Sequence, residues 1–313
     1  MKVQLLTFLA SCLLSSLFLF FLRPLFKIIL LDKPNYRSSH ILPIPRGGGI
    51  SIFLTTLIFS CFNGFWYPLI CSPLAIIGFL DDLFNLPKKL RYFIQFLTSI
   101  IILAFLKNPE FYFLSNNNYF LFIIFLILLI LFITGLINLI NFMDGMDGLV
   151  GGCMFVVFLL IFYTEGLAIL PLLGSILGFL FYNWHPAKYF MGDVGSTFLG
   201  GIYAFCLLNS YSWTNLLGLI LVNTPLIADS SSCILRRLLL GQNIFQPHRN
   251  HLYQRLYQSG WSHSKVSTIY IFATLLLSIT YIYGNIFSLL FLASLILYFG
   301  KILDLKIASP FLK

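Results

Sequence analysis

The chain has 313 residues, of which 59% are hydrophobic and 9% are charged, and its mean hydropathy is +0.94. Soluble domains carry roughly 25% charged residues, so this composition excludes a soluble protein and indicates a polytopic helical membrane protein. The apolar runs are long and continuous, unlike the short alternating segments of a membrane barrel. The net charge of +9 comes from basic residues scattered through short loops, and it does not indicate nucleic-acid binding.

Eleven apolar segments are candidate spans, and they predict an all-α fold with a single transmembrane domain, residues 1–313. The first segment lacks a small-residue cleavage site and is long enough to span, so we predict a retained helix and not a signal peptide. Pro171 and Pro225 are expected to mark kinks or helix starts. The predicted spans are Val3–Leu22, Ile50–Phe65, Trp66–Leu80, Tyr92–Leu106, Tyr119–Ile140, Leu149–Tyr163, Leu167–Phe181, Thr197–Leu208, Leu216–Ala228, Val266–Tyr283 and Ile286–Leu303.

The distribution of Lys and Arg predicts the orientation of these spans. With the N-terminus outside, in the periplasm, only Lys2 and Lys107 of the 19 basic residues face outward, and the other 17 face the cytoplasm. An odd number of spans then places the C-terminus in the cytoplasm. The predicted cytoplasmic loops are 32–49, 81–91, 141–148, 184–196 and 229–265.

The same topology separates the acidic residues into two groups. Glu110 and Glu165 fall outside, whereas six aspartates fall at cytoplasmic ends of helices. The topology was assigned from Lys and Arg alone, so this clustering is an independent observation, and ionisable groups at membrane edges are usually functional. It predicts a carboxylate-rich cytoplasmic site. The six are Asp81, Asp82, Asp144, Asp147, Asp193 and Asp229.

The cysteines and the isolated histidines give no sign of a zinc site. No two of the six cysteines form a C-x-x-C pair, and five lie in apolar runs, where free thiols pack as small hydrophobic groups. His40 and His263 are predicted to be surface residues.

Residues 138–148, between two of the most apolar runs, carry two amides and two carboxylates. Asn141, Asp144 and Asp147 recur every three residues, so a helical turn would bring them near one face. A glycine follows each aspartate and leaves room for a ligand to approach the backbone. The alternative is an Asp-Gly turn that only joins two helices.

Asp81 and Asp82 end an apolar run and point in different directions on a helix. Two like charges at a membrane edge require a counter-ion, and Mg²⁺ or Mn²⁺ takes carboxylates and shares phosphate oxygens. The alternative is a solvated helix end that pairs with Lys88 and Lys89.

Residues 192–196 read Gly-Asp-Val-Gly-Ser before an apolar run, as at a helix N-terminus. Such an end offers free N–H groups to phosphate. It is not a Walker A loop, because Gly-Lys-Ser/Thr is missing. The alternative assigns Asp193 only an N-cap role.

The longest predicted loop contains His248, Arg249 and His251, whose side chains suit a phosphate and a sugar. Arg236 and Arg237 are assigned to ordinary positive-inside charge. The two histidines alone do not make a metal site, since no third ligand is near in sequence. Together, the motifs suit phosphoryl transfer from a soluble phosphorylated donor to a lipid acceptor, with a metal ion and cations offsetting charge.

In this order and combination, the motifs resemble those of the polyprenyl-phosphate N-acetylhexosamine-1-phosphate transferases, the MraY/WecA family. The similarity covers nearly the whole chain, from Asp32 to the last loop, and each motif alone is weakly specific. The motifs are Asp81-Asp82 with Asn85, Asn138-x-x-Asn141-x-x-Asp144-Gly-x-Asp147-Gly-Leu, Gly192-Asp193-x-Gly195-Ser196 and His248-Arg-Asn-His251.

The resemblance implies an eleven-helix enzyme of the bacterial inner membrane with its active site facing the cytoplasm. It would transfer a sugar-1-phosphate from a UDP-sugar to undecaprenyl phosphate, release UMP and use Mg²⁺ or Mn²⁺. The implied partners are the UDP-sugar, undecaprenyl phosphate and the lipid bilayer, and a homodimer is left open.

The family's residue roles carry over by motif. Asp193, with Asp144, would bind the metal. Asp81 and Asp82 would position or deprotonate the lipid phosphate that attacks the β-phosphorus of the donor, and with Asp193 they form the predicted catalytic set. The residues expected to bind nucleotide, diphosphate or sugar are Asn138, Asn141, Asp144, Asp147, His248, Arg249 and His251.

Two departures from the family pattern bear on the branch. Asn85 stands where the family often has a third aspartate. The last loop lacks the three consecutive histidines typical of the peptidoglycan branch, which uses a UDP-muramoyl-pentapeptide. This favours the branch that starts O-antigen or related glycans from UDP-GlcNAc or UDP-activated 6-deoxy sugars, with the peptidoglycan enzyme as the alternative. An ion-coupled transporter is an alternative of another class, but it predicts internal repeats and acids near the bilayer midplane.

Overall fold

The computed structural model describes residues 2–32, 34, 42–63, 66–106, 119–166, 169–244, 246 and 248–311. Within these ranges the chain forms helices and one short antiparallel strand pair, as expected of a helical membrane protein. The elements are α1 Lys2–Ile29, β1 Leu31–Asp32, β2 Ile44–Pro45, α2 Ile50–Asn63, α3 Tyr67–Ile70, α4 Ser72–Phe84, α5 Lys88–Ala104, α6 Tyr119–Phe142, α7 Leu149–Glu165, α8 Leu170–Asn183, α9 Gly192–Leu208, α10 Trp213–Val222, α11 Thr224–Leu239, α12 Leu252–Gln258, α13 His263–Tyr283 and α14 Ile286–Lys306.

Four helices, α1, α6, α13 and α14, are each long and apolar enough to cross a membrane. The α10–α11 pair is a fifth candidate, bent by 77°, and Pro225 lies in the first turn of α11 as predicted. Helices α2, α7, α8 and α9 are apolar but have 17 residues or fewer. At about 1.5 Å per residue they fall short of a hydrocarbon core of roughly 30 Å. The described residues therefore support a multi-pass protein with four or five spans by length and composition.

The short helices form the centre of the molecule and the long ones its rim. In α9, fourteen of the 17 residues are buried, whereas in α1 the buried side chains are Ser11, Ser15, Leu19 and Phe26. Small residues bring α1 close to α8: Ser15 Oγ donates to the Ser175 carbonyl at 2.9 Å. Close backbone approach through small residues is the usual packing of membrane helices.

Several predicted boundaries are wrong. The span predicted for Trp66–Leu80 is two helices, α3 and α4, which meet at Cys71 because each begins with a proline in its first turn. Helix α1 continues past Pro24 to Ile29. Helices α4, α9 and α11 extend into the loops predicted at 81–91, 184–196 and 229–265, and α12 lies inside the last of these.

The strand pair joins the two ends of the loop predicted at 32–49, with Leu31 opposite Pro45. Some predictions fall outside the described residues. These are Lys107, Glu110, His40, the end of the span predicted to Phe65 and the start of the span predicted from Leu167.

Candidate active site

Asp81, Asp144 and Asp193 lie together where α4 and α6 end and α9 begins, and we call them the carboxylate cluster. Nη1 of Arg91, in α5, is 2.6 Å from Asp81 Oδ2 and 2.7 Å from Asp193 Oδ2. The N–H of Gly192 hydrogen-bonds to the Asp144 carboxylate. The structure thus brings together one aspartate from each of three separate sequence motifs.

The electrostatics of the carboxylate cluster favour a bound cation. Burial raises the pKa of Asp144 to about 8, and the negative charge of Asp193 acts in the same direction, against the Gly192 N–H. Repulsion between neighbouring carboxylates is relieved when a cation neutralises them. Hard divalent cations such as Mg²⁺ and Mn²⁺ prefer oxygen ligands of this kind. The carboxylate oxygens of the cluster are therefore of the kind that fits such an ion.

Asp82 accepts hydrogen bonds at the N-terminus of α9. It is only 5% exposed, and its two carboxylate oxygens each accept a backbone N–H, from Asp193 and from Val194, at 3.3 Å. A negative charge at a helix N-terminus is favourable because it meets the free N–H groups there. Nε of Arg46 lies 3.9 Å from Asp82 Oδ1, and the Arg46 guanidinium also donates to the Asp82 carbonyl. Asp82 thereby fixes the backbone that carries Asp193.

Glycines allow α4 and α9 to touch at this point. A Cβ at Gly78 would lie 2.5 Å from the Asp193 carbonyl oxygen, and a Cβ at Gly192 would overlap the Asp82 carboxylate. Gly192 also has a φ of +76°, which L side chains rarely adopt. The glycine beside Asp193 in the motif is therefore required by the approach of Asp82.

The two motif asparagines have different surroundings. Asn141 Oδ1 accepts a hydrogen bond from Ser196 Oγ at 2.7 Å, which joins the end of α6 to the first turn of α9. Asn138 Nδ2 donates to Gln95 Oε1 at 2.7 Å and to the Thr134 carbonyl at 2.8 Å. The structure places Asn141 beside the carboxylate cluster and Asn138 in the contact between α5 and α6.

Asp147 is held by two imidazoles. Its Oδ2 is 2.7 Å from His185 Nδ1, its Oδ1 is 3.2 Å from His263 Nδ1, and the Ala187 N–H donates to Oδ2 at 3.2 Å. Burial alone would raise the pKa of Asp147, but His263 and His185 outweigh it and lower the pKa below its ordinary value. The prediction that His263 is a surface residue is wrong, since it is 5% exposed. The carboxylate of Asp147 is largely saturated by these partners.

Asp229 organises the last loop. Its carboxylate accepts the Leu252 and Tyr253 N–H groups at 2.7 and 3.0 Å and the Tyr270 hydroxyl at 2.7 Å. Asp229 Oδ1 is also 3.7 Å from His251 Nδ1. These contacts tie α11 and α13 to the start of α12, immediately after the predicted His-Arg-Asn-His motif.

The motif loop itself reaches back towards the 141–148 segment. The His248 and His251 rings stack with centroids 5.0 Å apart, and Tyr253 OH donates to the Phe142 carbonyl at 3.2 Å. Burial, with the positive charges of His251 and Arg237, lowers the pKa of His248 to about 4. His248 is therefore neutral at physiological pH. Separately, the hydrogen bond of Tyr253 connects the last loop to the 141–148 segment.

Two further residues near this loop have roles that the sequence did not indicate. Arg237 is 4% exposed and donates to backbone carbonyls of residues 243, 244 and 246, so it shapes the loop and is not merely positive-inside charge. Cys233 lies with His248 and His251, their ligand-type atoms all within 4.8 Å. That third atom comes from α11, distant in sequence, so motif spacing could not find it.

Arg91, Asp229 and His185 are the main residues that sequence reasoning missed as parts of the site. Arg91 is one of the 17 basic residues predicted to face the cytoplasm, and Asp229 is one of the six cytoplasmic aspartates. The available signal for Arg91 was its position ten residues after Asp81, and that for Asp229 was a single acid in a segment that begins with an apolar run. An ionisable residue at the edge of an apolar segment indicates a partner across the fold.

An apolar cavity of about 1170 Å³ opens between α11, α13 and α14. Its lining is mostly aliphatic and aromatic, with Asp229, Arg236 and Lys301 among the charged residues. The carboxylate cluster does not line it. The cavity is therefore a separate feature on the other side of Asp229.

Comparison with known proteins gives concordant matches. The family model described as glycosyl transferase family 4 matches residues 64–211, which include the carboxylate cluster. The chain is 29% identical over 285 residues to the Bacillus subtilis (strain 168) protein named probable undecaprenyl-phosphate N-acetylglucosaminyl 1-phosphate transferase, with 84% of this chain and 76% of the relative covered.

Two enterobacterial relatives carry a similar name, undecaprenyl-phosphate alpha-N-acetylglucosaminyl 1-phosphate transferase. The protein of Escherichia coli (strain K12) is 30% identical over 301 residues, covering 84% of this chain and 79% of the relative. That of Yersinia pestis is 29% identical over 302 residues, covering 87% and 81%. The similarity extends over most of each protein and is not confined to the matched family segment.

Proposed function

The chain belongs to glycosyl transferase family 4, and we propose that it transfers a sugar-1-phosphate of the N-acetylhexosamine type from a UDP-sugar to undecaprenyl phosphate, releasing UMP. An oxygen of the acceptor phosphate forms a bond to the β-phosphorus of the donor. The bond from that phosphorus to the bridging oxygen breaks, and UMP leaves with the electron pair. The observation that carries the proposal is the carboxylate cluster at the end of an apolar helical bundle.

The proposed donor is UDP-N-acetylglucosamine. The names of the relatives specify N-acetylglucosaminyl 1-phosphate transfer, and the last loop lacks the consecutive histidines of the peptidoglycan branch. The product would start an O-antigen or a related envelope glycan.

The roles of the carboxylates follow from their exposure and contacts. Asp193 and Asp144 are the proposed ligands of Mg²⁺ or Mn²⁺, which when bound would offset negative charge on the donor diphosphate. The Asp81 side chain is 14% exposed, compared with 5% for Asp82. One Asp81 oxygen accepts the Leu86 N–H and the other contacts the partly exposed Arg91, whereas both Asp82 oxygens accept backbone N–H groups of α9. Asp81 is therefore the aspartate proposed to position or deprotonate the acceptor phosphate, and Asp82 supports Asp193.

The remaining predicted residues are proposed to bind the donor. Asn141, beside the first turn of α9, is placed to contact the nucleotide diphosphate. His248, Arg249 and His251 are proposed to contact a donor phosphate or the sugar, with neutral His248 acting as a hydrogen-bonding group. Asp147 is proposed to act through His185 and His263, which it holds in place.

The proposed setting is the bacterial inner membrane, with eleven spans, a periplasmic N-terminus and the active site facing the cytoplasm. The charge asymmetry of the loops supports this orientation. The short central helices α2, α7, α8 and α9 would then be spans that rely on their neighbours for burial. Cysteine labelling from each side of sealed vesicles, at Lys2 and at Lys306, tests the orientation of the two ends.

The direct test is UMP release by purified protein in detergent with undecaprenyl phosphate, Mg²⁺ and a panel of UDP-sugars. We expect lipid- and metal-dependent UMP release from UDP-N-acetylglucosamine, and release by Asp193→Asn that is slower by roughly a hundredfold or more. Glu165→Gln, a change at the far end of α7, is the matched control and should retain activity. Turnover of UDP-muramoyl-pentapeptide alone would move the protein to the peptidoglycan branch. Well-folded protein that turns over no donor would refute the transferase proposal.

A further inference from the structure

Arg91 joins two aspartates that approach it from different helices. Its Nη1 lies 2.6 Å from Asp81 Oδ2 in α4 and 2.7 Å from Asp193 Oδ2 in α9. A guanidinium Nη carries two hydrogens, so this single nitrogen has one for each carboxylate. Arg91 therefore neutralises part of the carboxylate cluster from within it.

We propose that Arg91 is a positioning residue that competes with the divalent cation for the Asp193 carboxylate and gives up its contact with Asp193 when the cation binds. The proposal rests on the proposed function only for the presence of a divalent cation at this cluster. In this proposal Arg91 competes with the cation, whereas a residue that served only membrane topology would not affect cation binding.

Arg91 and the cation compete for the same oxygen of Asp193. Mg²⁺ binds oxygen ligands at about 2.0–2.1 Å. Nη1 of Arg91 lies 2.7 Å from Asp193 Oδ2, so a cation bound to that oxygen would lie at short range from the guanidinium. Two cations so close would repel each other in a partly buried site. The cation can thus bind Asp193 Oδ2 only after the guanidinium has moved.

The side chain of Arg91 is free enough to move. It is 27% exposed, whereas Arg237, which donates to backbone carbonyls of the last loop, is 4% exposed. An arginine remains charged throughout the physiological range, so the displacement is a competition between cations and not a titration. Once displaced, the guanidinium stays beside the cluster, where it is suited to bidentate contact with phosphate oxygens.

The test measures Mn²⁺ binding by electron paramagnetic resonance on the purified full chain in nanodiscs, without donor or acceptor. Arg91→Met removes the competitor, and we expect its Mn²⁺ dissociation constant to fall about tenfold, equivalent to about 1.4 kcal/mol. Arg91→Lys keeps the charge and should lie between Arg91→Met and wild type. Lys89→Met makes the same change of net charge at an exposed position of α5 and should bind Mn²⁺ like wild type.

A second measurement separates competition from a merely structural role. Without metal, Arg91→Met leaves the two carboxylates facing each other and should lower the Tm, and Mn²⁺ should raise that Tm more than it raises the wild-type value. If Arg91→Met does not fold in metal-free buffer, Arg91→Gln is used, with the same expectation. Mn²⁺ binding by Arg91→Met that is equal to or weaker than wild type, or undetectable in both, overturns the proposal.

The UMP assay keeps this inference distinct from the proposed function. Wild-type turnover with unchanged Mn²⁺ affinity in Arg91→Met would leave the function intact and refute the role of Arg91. Tighter Mn²⁺ binding by Arg91→Met in a protein that turns over no donor would retain the competition and refute the transferase assignment.

Discussion

The aspartates of this protein fall into two groups that differ in what neutralises them. Asp147 and Asp229 each have three or more partners, among them imidazoles, backbone N–H groups and a tyrosine hydroxyl. The carboxylate cluster instead places charges next to one another, and its partners are Arg91 and the N–H groups of Leu86 and Gly192. Groups that are satisfied by the fold contribute to stability, whereas groups left in mutual repulsion are available for a ligand. We therefore call Asp147 and Asp229 the scaffold group. Their partners distinguish them from the carboxylate cluster more clearly than their positions in the sequence do.

The largest expected effect is on catalysis by the carboxylate cluster. Asp193→Asn should lower kcat by roughly 10²- to 10³-fold, the range found when one group that stabilises developing charge is removed. Its Tm should stay equal or rise, because one source of repulsion is lost. Steady-state UMP release and thermal unfolding in the same detergent measure the two quantities. A kcat near wild type, or a large fall in Tm, would place Asp193 in the scaffold group.

The opposite pattern is expected at Asp229. Asp229→Ala leaves the Leu252 and Tyr253 N–H groups and the Tyr270 hydroxyl without their acceptor. Each unsatisfied buried group costs about 1–3 kcal/mol, so the variant should lose Tm by several degrees at least. Asp229→Asn retains one acceptor oxygen and should lose less. If both variants unfold at the wild-type temperature, the last loop is not held by Asp229.

Gly192 allows a test of whether the carboxylate cluster depends on the position of Asp82. Gly192→Ala would place a Cβ against the Asp82 carboxylate at a positive φ, whereas Gly241→Ala has a similar φ of +67° and open space around it. The strain of positive φ is shared, at roughly 1 kcal/mol, so the difference between the variants reports the contacts with the Asp82 carboxylate and the Gly47 backbone. We expect only Gly192→Ala to lose about tenfold in kcat, measured by UMP release. Equal activity in the two variants would show that Asp82 tolerates a shift of the α9 backbone.

Much of the site could be predicted from the sequence because it depends on local patterns. The Asp-Asp, Asn-x-x-Asn-x-x-Asp and Gly-Asp-x-Gly-Ser motifs all end up where α4, α6 and α9 meet, as their positions at helix ends indicated. Periodicity also found the helices, but it did not reveal the break at Cys71, where a proline begins the next helix, or the extension of α1 past Pro24. The proline rules are local preferences that tertiary contacts override.

The rest depended on side chains that meet only in the folded protein. In the sequence, Arg91 is one basic residue among 19, and its role appears only when its side chain meets Asp81 of α4 and Asp193 of α9. His263 begins a helix in a polar stretch of the sequence, yet it is buried because it contacts the Asp147 carboxylate. Contacts between residues more than a hundred positions apart leave no periodic trace in a single sequence.

The smallest expected effect tests whether the negative charge of Asp147 contributes to the stability of the fold. The pKa of Asp147 in the folded protein is below the ordinary value of 3.8, because His263 and His185 outweigh the effect of burial. A carboxylate with a lowered folded pKa contributes stability above its unfolded pKa, and this contribution is lost as the pH falls through the folded value. The wild-type Tm should therefore exceed that of Asp147→Asn by a few degrees at pH 6–7, and the gap should close below about pH 4. Thermal unfolding in detergent across pH 3–7 measures the gap. A gap independent of pH would mean that Asp147 holds His185 and His263 by hydrogen-bond geometry, which an amide reproduces only in part, and not by its charge.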